Sequence, residues 1–251
     1  MNAGAVRIEA SLREAGGRPA LAAFLTAGYP EWGTFHRHLA AVARVADLVE
    51  VGVPFSDPIA DGITIQRASR AALEAGVTLA SILEAVRGAA SPIVLMTYLN
   101  PVLAYGVERL AADAAAAGIA GLIVPDLPRE ERDILLGPLE SSGVALIPLV
   151  APATEPARAA AIAAEAEGFV YAVSINGTTG GASAGFAAAR PYLARVREAA
   201  RCPVLAGFGV RTKDDVRALA PPADGVIVGS ALIDAIERGD DPAAFLEGVL
   251  S

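Results

Sequence analysis

Short apolar runs alternate with longer helical segments along most of this chain, and this alternation constrains the fold more than any other feature. Most runs are continuously apolar, which is typical of parallel strands covered on both faces. The eight strand candidates are ALAAFLT (20–26), DLVEVGV (47–53), PIVLMTY (92–98), GLIVP (121–125), ALIPLV (145–150), GFVYAVS (168–174), PVLAGFG (203–209) and GVIVG (225–229). Helices are predicted at 34–46, 65–76, 78–90, 108–118, 129–143, 156–168, 189–200, 212–220, 230–239 and 241–250.

Eight strand–helix units in 251 residues predict an α/β fold. We expect a (β/α)8 TIM barrel that forms a single domain over residues 1–251, with extra helices. An open doubly wound sheet is the second possibility. It is less favoured because no Gly-x-Gly-x-x-Gly sequence follows the first strand.

The composition narrows the range of partners and compartments. A net charge of −8 gives no electrostatic attraction to nucleic acid or to anionic membranes, so we expect neither. No apolar run reaches the ~18 residues that suggest a transmembrane helix, and residues 1–17 lack the apolar core of a signal peptide. The single cysteine, Cys202, cannot form an internal disulfide. These features predict a cytoplasmic protein.

Glu50 stands in an otherwise apolar strand. Alternate residues of a barrel strand face the interior and the helices. If Val49 and Val51 face the helices, Leu48 and Glu50 face inward, near the strand end where barrel enzymes place their chemistry. Partial burial there would let a carboxyl group donate and accept protons near neutral pH. The alternative is a structural ion pair, but the first and third strands contain no Lys or Arg.

Asp61 follows Glu50 by eleven residues, in the loop that leaves the same strand. A lone aspartate in a loop usually forms a turn or caps a helix. Asp57 precedes Pro58 and suits a turn, and Asp61 precedes Gly62 and could do the same. The spacing alone therefore leaves a functional and a structural role open for Asp61.

The segment VEVGVPFSDPIADGITIQ (49–66) resembles the signature of the tryptophan synthase α subunit family, and the resemblance extends over essentially the whole chain. Ile63 is a departure, because the family usually carries Pro there. The other similar segments, in order, are FLTAGYP (24–30), MTYLNPVLAYG (96–106), GLIVPDLPREE (121–131), GTTGG (177–181), LAGFGV (205–210) and VIVGSALI (226–233).

The resemblance implies a retro-aldol cleavage of indole-3-glycerol phosphate to indole and glyceraldehyde 3-phosphate. It implies that Glu50 moves protons at indole C3 and at the adjacent hydroxyl group. Asp61 would accept a hydrogen bond from the indole N–H and stabilise the positive charge that develops there. Two carboxyl groups suffice when their environments differ. No metal or cofactor is expected on this chain, and His36 and His38 are expected to be structural or solvated.

The resemblance places the phosphate of the substrate on Gly180, Gly209, Gly229 and Ser230. Ser230 begins a predicted helix, and barrels often bind phosphate at such a helix N-terminus with the loops after the seventh and eighth strands. We expect no Lys or Arg at the ends of these two strands, so backbone N–H groups would attract the phosphate. The alternative is that these glycines only form tight turns. GTTGG is not a Walker A loop, because no Gly-Lys-Ser/Thr follows it.

The indole ring needs an apolar pocket, and the residues at or near predicted strand ends are Phe24, Tyr98, Ile123, Leu149, Tyr171 and Phe208. Each of them alone is better explained as a core residue than as a site residue. The resemblance implies that Phe24, Tyr98, Tyr171 and Phe208 surround the indole and glycerol parts of the substrate. The resemblance also implies that Thr179 binds Asp61 when the site closes. Residues 54–64 and 174–187 are the predicted mobile loops.

The family works with a β subunit that carries pyridoxal phosphate, so an αββα tetramer is expected, with 54–62 and 100–106 as contact surfaces. A self-sufficient lyase that releases free indole remains an alternative. A phosphate-binding barrel with only a structural or regulatory role is another alternative. A Schiff-base aldolase would need a lysine at a strand end, and Lys213 lies in a predicted surface helix.

Overall fold

The strands form one parallel barrel. The computed structural model describes residues 1–174, 182–207 and 209–251, without the side chains of 182–185 and 187. The described residues form nine strands in the order β5-β4-β3-β2-β1-β9-β8-β7-β6, and all the pairings are parallel. The strands are β1 (Ala20–Thr26), β2 (Leu48–Gly52), β3 (Ile93–Met96), β4 (Ile119–Ile123), β5 (Ala145–Ile147), β6 (Leu149–Val150), β7 (Val170–Val173), β8 (Val204–Gly207) and β9 (Gly225–Val228).

The ring is completed through the chain segment 145–150, which was predicted as one strand. Pro148 divides this segment into β5, which pairs with β4, and β6, which pairs with β7. Proline has no N–H to donate to a strand ladder, which accounts for the interruption. The eight predicted strands therefore become nine, and the predicted (β/α)8 barrel is confirmed. The open doubly wound sheet is wrong.

Helices surround the barrel, and each predicted helix is present, most of them with small shifts at their ends. Helix α9 begins at Ala182, seven residues before its predicted start, so the last part of the predicted loop 174–187 is helical, and α4 ends five residues before its predicted end. Two further helices, α1 and α5, were not predicted. None of the described helices combines the length and the apolar character that a membrane span requires. The α-helices of the described residues are α1 (Ala3–Arg13), α2 (Trp32–Val42), α3 (Ile63–Glu74), α4 (Leu79–Ala85), α5 (Leu99–Tyr105), α6 (Val107–Ala117), α7 (Asp133–Ser142), α8 (Pro156–Glu165), α9 (Ala182–Ala199), α10 (Lys213–Leu219), α11 (Ser230–Glu237) and α12 (Pro242–Leu250).

Two apolar clusters divide the core. The outer cluster lies between the strands and the helices and contains Val49 and Val51. The inner cluster fills the barrel and contains Leu48. Because successive side chains of a strand point to opposite faces, Glu50 points inward with Leu48. The predicted facing of this strand is therefore confirmed.

Helix α1 covers one end of the inner cluster. Its apolar face contributes Ala5, Ile8 and Leu12 to that cluster. Gly4 is needed for this close approach, because a Cβ atom at this position would lie 2.0 Å from the carbonyl oxygen of Ala120. Since Ala120 is near the start of β4, α1 packs at the amino ends of the strands. The carboxyl ends lie at the opposite end of the barrel.

Candidate active site

Glu50 is a fully buried carboxyl group at the carboxyl end of β2. It lies in register with Phe24 on β1 and Val94 on β3, so its neighbours across the sheet are apolar. Its exposed fraction is 0%, and neither carboxyl oxygen has a hydrogen-bond partner among the described residues. Burial raises the pKa of Glu50 to about 8. A buried acid with no partner is costly for folding, which favours a functional role over a structural ion pair.

Asp61 lies on the loop between β2 and α3, and Tyr98 holds its side chain. The Tyr98 hydroxyl donates to Oδ2 of Asp61 at 3.1 Å and accepts the backbone N–H of Ala60 at 2.9 Å. Burial raises the pKa of Asp61 to about 6, and the hydrogen bond from Tyr98 opposes that rise. Gly62 is the N-cap residue of α3, and no side chain caps this helix. The capping alternative for Asp61 is therefore wrong.

Both carboxyl groups line one cavity of about 100 Å³ at the carboxyl ends of the strands. The predicted site residues that line it are Phe24, Glu50, Asp61, Tyr171, Gly209, Gly229 and Ser230. Tyr98 reaches the site through its bond to Asp61. Thr179, Gly180 and Phe208 lie outside the described residues, so their predicted contacts stay predictions.

Glycines at strand ends make room for two aromatic rings of this cavity. A Cβ atom at Gly52 would lie 2.4 Å from Cζ of Phe24, and one at Gly207 would lie 2.5 Å from the hydroxyl oxygen of Tyr171. The Tyr171 side chain is buried, which raises the pKa of its hydroxyl group, and the negative charges of Glu50 and Asp61 raise it further. Tyr171 therefore lies within electrostatic reach of both acids.

The part of the cavity next to the start of α11 suits an anion. Gly229 is the N-cap of α11, and Ser230 and Ala231 are its first two residues. The first N–H groups of a helix have no acceptor within the helix, and the helix dipole favours negative charge there. Gly209 has φ +83°, a left-handed conformation that favours glycine. The interpretation of these glycines as turn residues alone leaves the convergence of Gly209, Gly229 and Ser230 on one cavity unexplained.

Arg211 also lines this cavity. The expectation of no Lys or Arg at the ends of the seventh and eighth predicted strands is therefore wrong, since Arg211 follows the seventh by two residues. Ile65, Met96 and Ile227 line the cavity as well and were not predicted. Met96 and Ile227 belong to the inner cluster, so the alternation of inward-facing strand residues could have indicated them.

A larger cavity of about 390 Å³ lies on the outside of the barrel between α7 and α8. It contains neither Glu50 nor Asp61. Its arginines are already in ion pairs: Arg129 and Arg132 with Glu165, and Arg158 with Glu130. Of these two cavities, only the smaller is lined by the two acids expected to act in catalysis.

The two histidines lie on α2, away from the cavity. His36 packs edge-on against Trp32, with 5.5 Å between the ring centroids. Burial lowers the pKa of His38. Within the ranges that the structure describes, no three His, Cys, Asp or Glu side chains are arranged to hold a metal ion.

Comparison with known proteins identifies the family. A sequence profile described as Tryptophan synthase alpha chain matches residues 11–248. The chain belongs to the tryptophan synthase alpha chain family. It is therefore a carbon–carbon lyase of tryptophan biosynthesis, which cleaves indole-3-glycerol phosphate to indole and glyceraldehyde 3-phosphate.

Individual relatives agree with this assignment to the tryptophan synthase alpha chain family. The tryptophan synthase alpha chain of Acidiphilium cryptum (strain JF-5) is 47% identical over 245 residues, which cover 93% of this chain and 89% of the relative. That of Nitratidesulfovibrio vulgaris (strain DP4) is 46% identical over 97% of both chains.

Solved structures of the family share the fold. A chain of Mycobacterium tuberculosis tryptophan synthase superposes with a TM-score of 0.87 and 40% identity, covering 98% of both chains. Tryptophan synthase subunit alpha from Campylobacter jejuni gives a TM-score of 0.85 with 32% identity, over 95% of this chain and 98% of the other.

Proposed function

We propose that the cavity between β1, β2 and α11 is where this chain cleaves indole-3-glycerol phosphate, with Glu50 and Asp61 as its catalytic residues. One observation carries this proposal: two acids in different environments line the same cavity. Glu50 is fully buried without a hydrogen-bond partner among the described residues and has a pKa of about 8, whereas Asp61 accepts a hydrogen bond and has a pKa of about 6. Between these values Glu50 is protonated and Asp61 is ionised.

The first chemical step uses the protonated form of Glu50 and the ionised form of Asp61. The carboxyl group of Glu50 transfers its proton to C3 of the indole ring, which forms an indolenine with positive charge at nitrogen. The carboxylate of Asp61 accepts the N–H of that ring and stabilises its charge. A charge-assisted hydrogen bond of this kind is roughly twice as strong as a neutral one, so the interaction is strongest when the charge has developed.

The second step breaks the carbon–carbon bond. The carboxylate of Glu50 removes the proton from the hydroxyl group next to the ring, and the carbonyl group of glyceraldehyde 3-phosphate forms. The electron pair of the broken bond returns to the ring and neutralises the indolenine as indole. Glu50 ends the cycle protonated, so one proton has moved from the hydroxyl group to C3 and no external acid or base is consumed.

The small volume of the cavity supports a movement that opens it to admit the substrate and then closes it. Its volume of about 100 Å³ is below the roughly 300–1,000 Å³ of most small-molecule sites. Residues 54–64 carry Asp61 and border the opening, so we propose that this loop moves to admit the substrate and then closes. The predicted bond between Thr179 and Asp61 involves a residue outside the described ranges and stays a prediction.

An assay of indole release from indole-3-glycerol phosphate tests the assignment. Glu50→Gln and Asp61→Asn each remove an ionisable group and keep the shape of the side chain. We expect each to lower turnover by about 10²–10⁴-fold, the usual contribution of general acid–base catalysis. Glu84→Gln, at an exposed position on α4, is the matched control. Undiminished turnover in Glu50→Gln would reject the proposed role of Glu50 in proton transfer, whereas no indole release by the wild type would favour a structural or regulatory barrel.

We also propose that a β subunit binds over the mouth of the cavity, in an αββα tetramer. Large apolar side chains support this surface: Ile59 is 84% exposed, Ile63 is 77% exposed and Leu103 is 48% exposed. Exposed apolar side chains grouped at one place favour a protein contact. Ile59 and Ile63 lie on the loop that carries Asp61, so a partner that covers them would also order that loop.

Titration with a purified β subunit separates this proposal from a self-sufficient lyase. We expect the partner to raise indole-3-glycerol phosphate turnover, and Leu103→Asp to weaken that activation without lowering the basal rate. Val6→Asp changes a similarly exposed apolar residue on α1, at the other end of the barrel, and serves as the control. Full turnover by the isolated chain, unchanged by the partner, would support the self-sufficient alternative.

The mechanism proposed for this chain needs no metal or cofactor of its own, and pyridoxal phosphate is expected on the β partner only. We place the reaction in the cytoplasm. A reducing compartment is compatible with Cys202, a free and buried thiol whose pKa burial raises to about 12.

A further inference from the structure

We propose that Arg211 binds the phosphate of the substrate, and that Asp234 connects this arginine to the loop that carries Asp61. This inference deepens the proposed function and rests on it. It adds a charged side chain to a phosphate site that the sequence assigned to backbone N–H groups and Ser230 alone. It also connects the phosphate site to residues 54–64, the loop that carries Asp61.

The position of Arg211 is the first argument. Arg211 lines the cavity together with Gly209, Gly229 and Ser230, the residues that suit an anion. A phosphate dianion at the start of α11 would therefore bind next to Arg211, whose guanidinium group contacts the same helix at Asp234. Arginine suits this task because its planar group can donate two parallel hydrogen bonds to phosphate oxygens.

The present partner of Arg211 holds it weakly. Nη1 of Arg211 lies 3.5 Å from Oδ2 of Asp234, and the arginine side chain is 58% exposed. Exposed ion pairs contribute little to stability, so this contact is easily exchanged. Asp234 lies four residues after Ser230 on α11, on the same face of the helix. A small rotation of the Arg211 side chain would therefore carry its guanidinium group from Asp234 towards an anion at Ser230.

Asp234 also contacts the first turn of α3, which begins two residues after Asp61. Its second oxygen, Oδ1, accepts a hydrogen bond from the hydroxyl group of Thr64 at 3.1 Å. Thr64 is the second residue of α3 and follows Asp61 by three residues. When Arg211 moves to phosphate, the Asp234 carboxylate keeps its hydrogen bond from Thr64 and loses the competing contact with Arg211. Phosphate binding would thereby strengthen the attachment of the Asp61 loop to α11.

A second contact between the same helices keeps this geometry in place. Nε of Arg67 on α3 donates to Oε1 of Glu237 on α11 at 3.1 Å. Arg67 also lies within electrostatic reach of Asp234. The first two turns of α3 therefore contact α11 at two places, so the release of Arg211 changes the environment of Asp234 without separating the helices.

Binding of glycerol 3-phosphate, measured by calorimetry, tests the role of Arg211 without requiring turnover. We expect Arg211→Ala to weaken binding by about tenfold or more, as for the loss of a hydrogen bond between charged groups. Arg211→Lys keeps the charge and should recover part of the affinity. Arg217→Ala, which removes an exposed arginine of α10 paired with Asp214, is the matched control. Equal affinities in wild type and Arg211→Ala would overturn the proposal.

Kinetics with two substrates separate phosphate recognition from a general structural effect. Arg211→Ala should raise KM for indole-3-glycerol phosphate by about tenfold with little change in kcat. It should leave the cleavage of unphosphorylated indole-3-glycerol unchanged. An equal loss for both substrates would overturn the proposal. If the wild type releases no indole at all, the proposed function fails, and the glycerol 3-phosphate titration still decides the role of Arg211.

Hydrogen exchange tests the connection to the loop. Glycerol 3-phosphate should slow the exchange of backbone amides in 54–66 of the wild-type protein. Thr64→Val, which removes the hydroxyl group and keeps the shape, should bind the probe as tightly but abolish that protection. If the probe leaves exchange in 54–66 of the wild type unchanged, the proposed connection through Asp234 is wrong.

Discussion

Tyr98 donates a hydrogen bond to the carboxyl group of Asp61 at 3.1 Å, across 37 residues of sequence. The same hydroxyl oxygen accepts the backbone N–H of Ala60 at 2.9 Å. The Tyr98 ring also stacks on Phe55, with 5.0 Å between the centroids. One side chain at the start of α5 therefore contacts the loop that carries Asp61 at three points, and it sets both the position of Asp61 and its affinity for a proton.

Tyr98→Phe should move the acidic limb of the pH–rate profile upwards. If Asp61 must be ionised and Glu50 protonated, kcat/KM follows a bell between the pKa values of about 6 and about 8. The hydrogen bond from Tyr98 lowers the pKa of Asp61, so its loss raises that pKa. We expect the acidic limb to rise by about one pH unit, equivalent to about 1.4 kcal/mol.

The measurement is kcat/KM for indole release between pH 5 and pH 9. Tyr105→Phe removes a similar bond, from Tyr105 to Asp113 at 2.7 Å on the outside of the barrel, and should leave the profile in place. An acidic limb that stays at the same pH in Tyr98→Phe would show that this hydrogen bond does not control the ionisation of Asp61.

The free energy of unfolding of Glu50→Gln should exceed that of the wild type by a margin that grows as the pH rises. The pKa of Glu50 is raised from 4.5 to about 8 in the folded state, so the folded protein binds more protons than the unfolded chain between these values. Stability therefore falls with increasing pH in this window, by up to about 1.4 kcal/mol per pH unit. Glutamine does not ionise, so the variant avoids this loss.

Urea unfolding of wild type and Glu50→Gln at pH 5, 6, 7 and 8 measures the effect. The difference in free energy of unfolding should be small at pH 5 and should widen in favour of the variant up to pH 8. A difference that is constant over this range would mean that Glu50 ionises in the folded protein as readily as in the unfolded chain.

The strands were predictable because the need for apolar residues on both faces of a strand is visible in the short segment that forms it. Parallel strands covered on both faces need continuous apolar sequence, and seven of the eight runs match one strand each. The inward direction of Glu50 followed from simple alternation along β2. The break in the remaining run, 145–150, follows from Pro148, whose missing N–H is visible in the sequence but was not used.

The two missed helices have different causes. Helix α1 has apolar residues at Ala5, Ile8 and Leu12, but the surface that they cover is the end of a barrel assembled from distant segments. In α5, Pro101 follows Asn100, a pair typical of turns. Pro101 is the third residue of α5, in the first turn, where a proline removes no hydrogen bond of the helix.

The site was predictable where a residue belongs to a strand and less so where it belongs to a loop. The direction of Arg211 depends on the path of the chain after Gly209, whose φ of +83° turns the backbone. The bond between Tyr98 and Asp61 depends on how the loop of 54–64 folds over the barrel. Neither feature has a periodic signal, so only the assembled structure reveals them.

Ile63→Pro should stabilise the protein. Ile63 is the first residue of α3, where a proline is favoured because its N–H would have no partner within the helix. Gly62 already has φ −74° and ψ 163°, the extended conformation that a residue before proline requires. We expect a gain of about 0.4–1 kcal/mol from the lower entropy of the unfolded chain.

Thermal unfolding of wild type and Ile63→Pro gives the comparison. Ile63→Ala removes the same exposed apolar side chain without fixing the backbone, so it separates the two effects. A lower melting temperature in Ile63→Pro than in Ile63→Ala would show that the start of α3 does not accept proline in this loop.

Gly207→Ala should disturb the site through Tyr171. The added Cβ atom would lie 2.5 Å from the Tyr171 hydroxyl oxygen and from Cε1 of the ring, so the ring must shift. The ring is buried and close to both acids, and we expect a loss of about 1–3 kcal/mol in stability together with slower indole release. Gly248→Ala is the control, because a Cβ atom there meets nothing within 4 Å.

A double-mutant cycle tests whether the contact with Tyr171 is the cause. If it is, Tyr171→Leu should lower the free energy of unfolding less in the Gly207→Ala background than in wild type. Additive losses would mean that Gly207 matters for the β8 backbone and not for the ring.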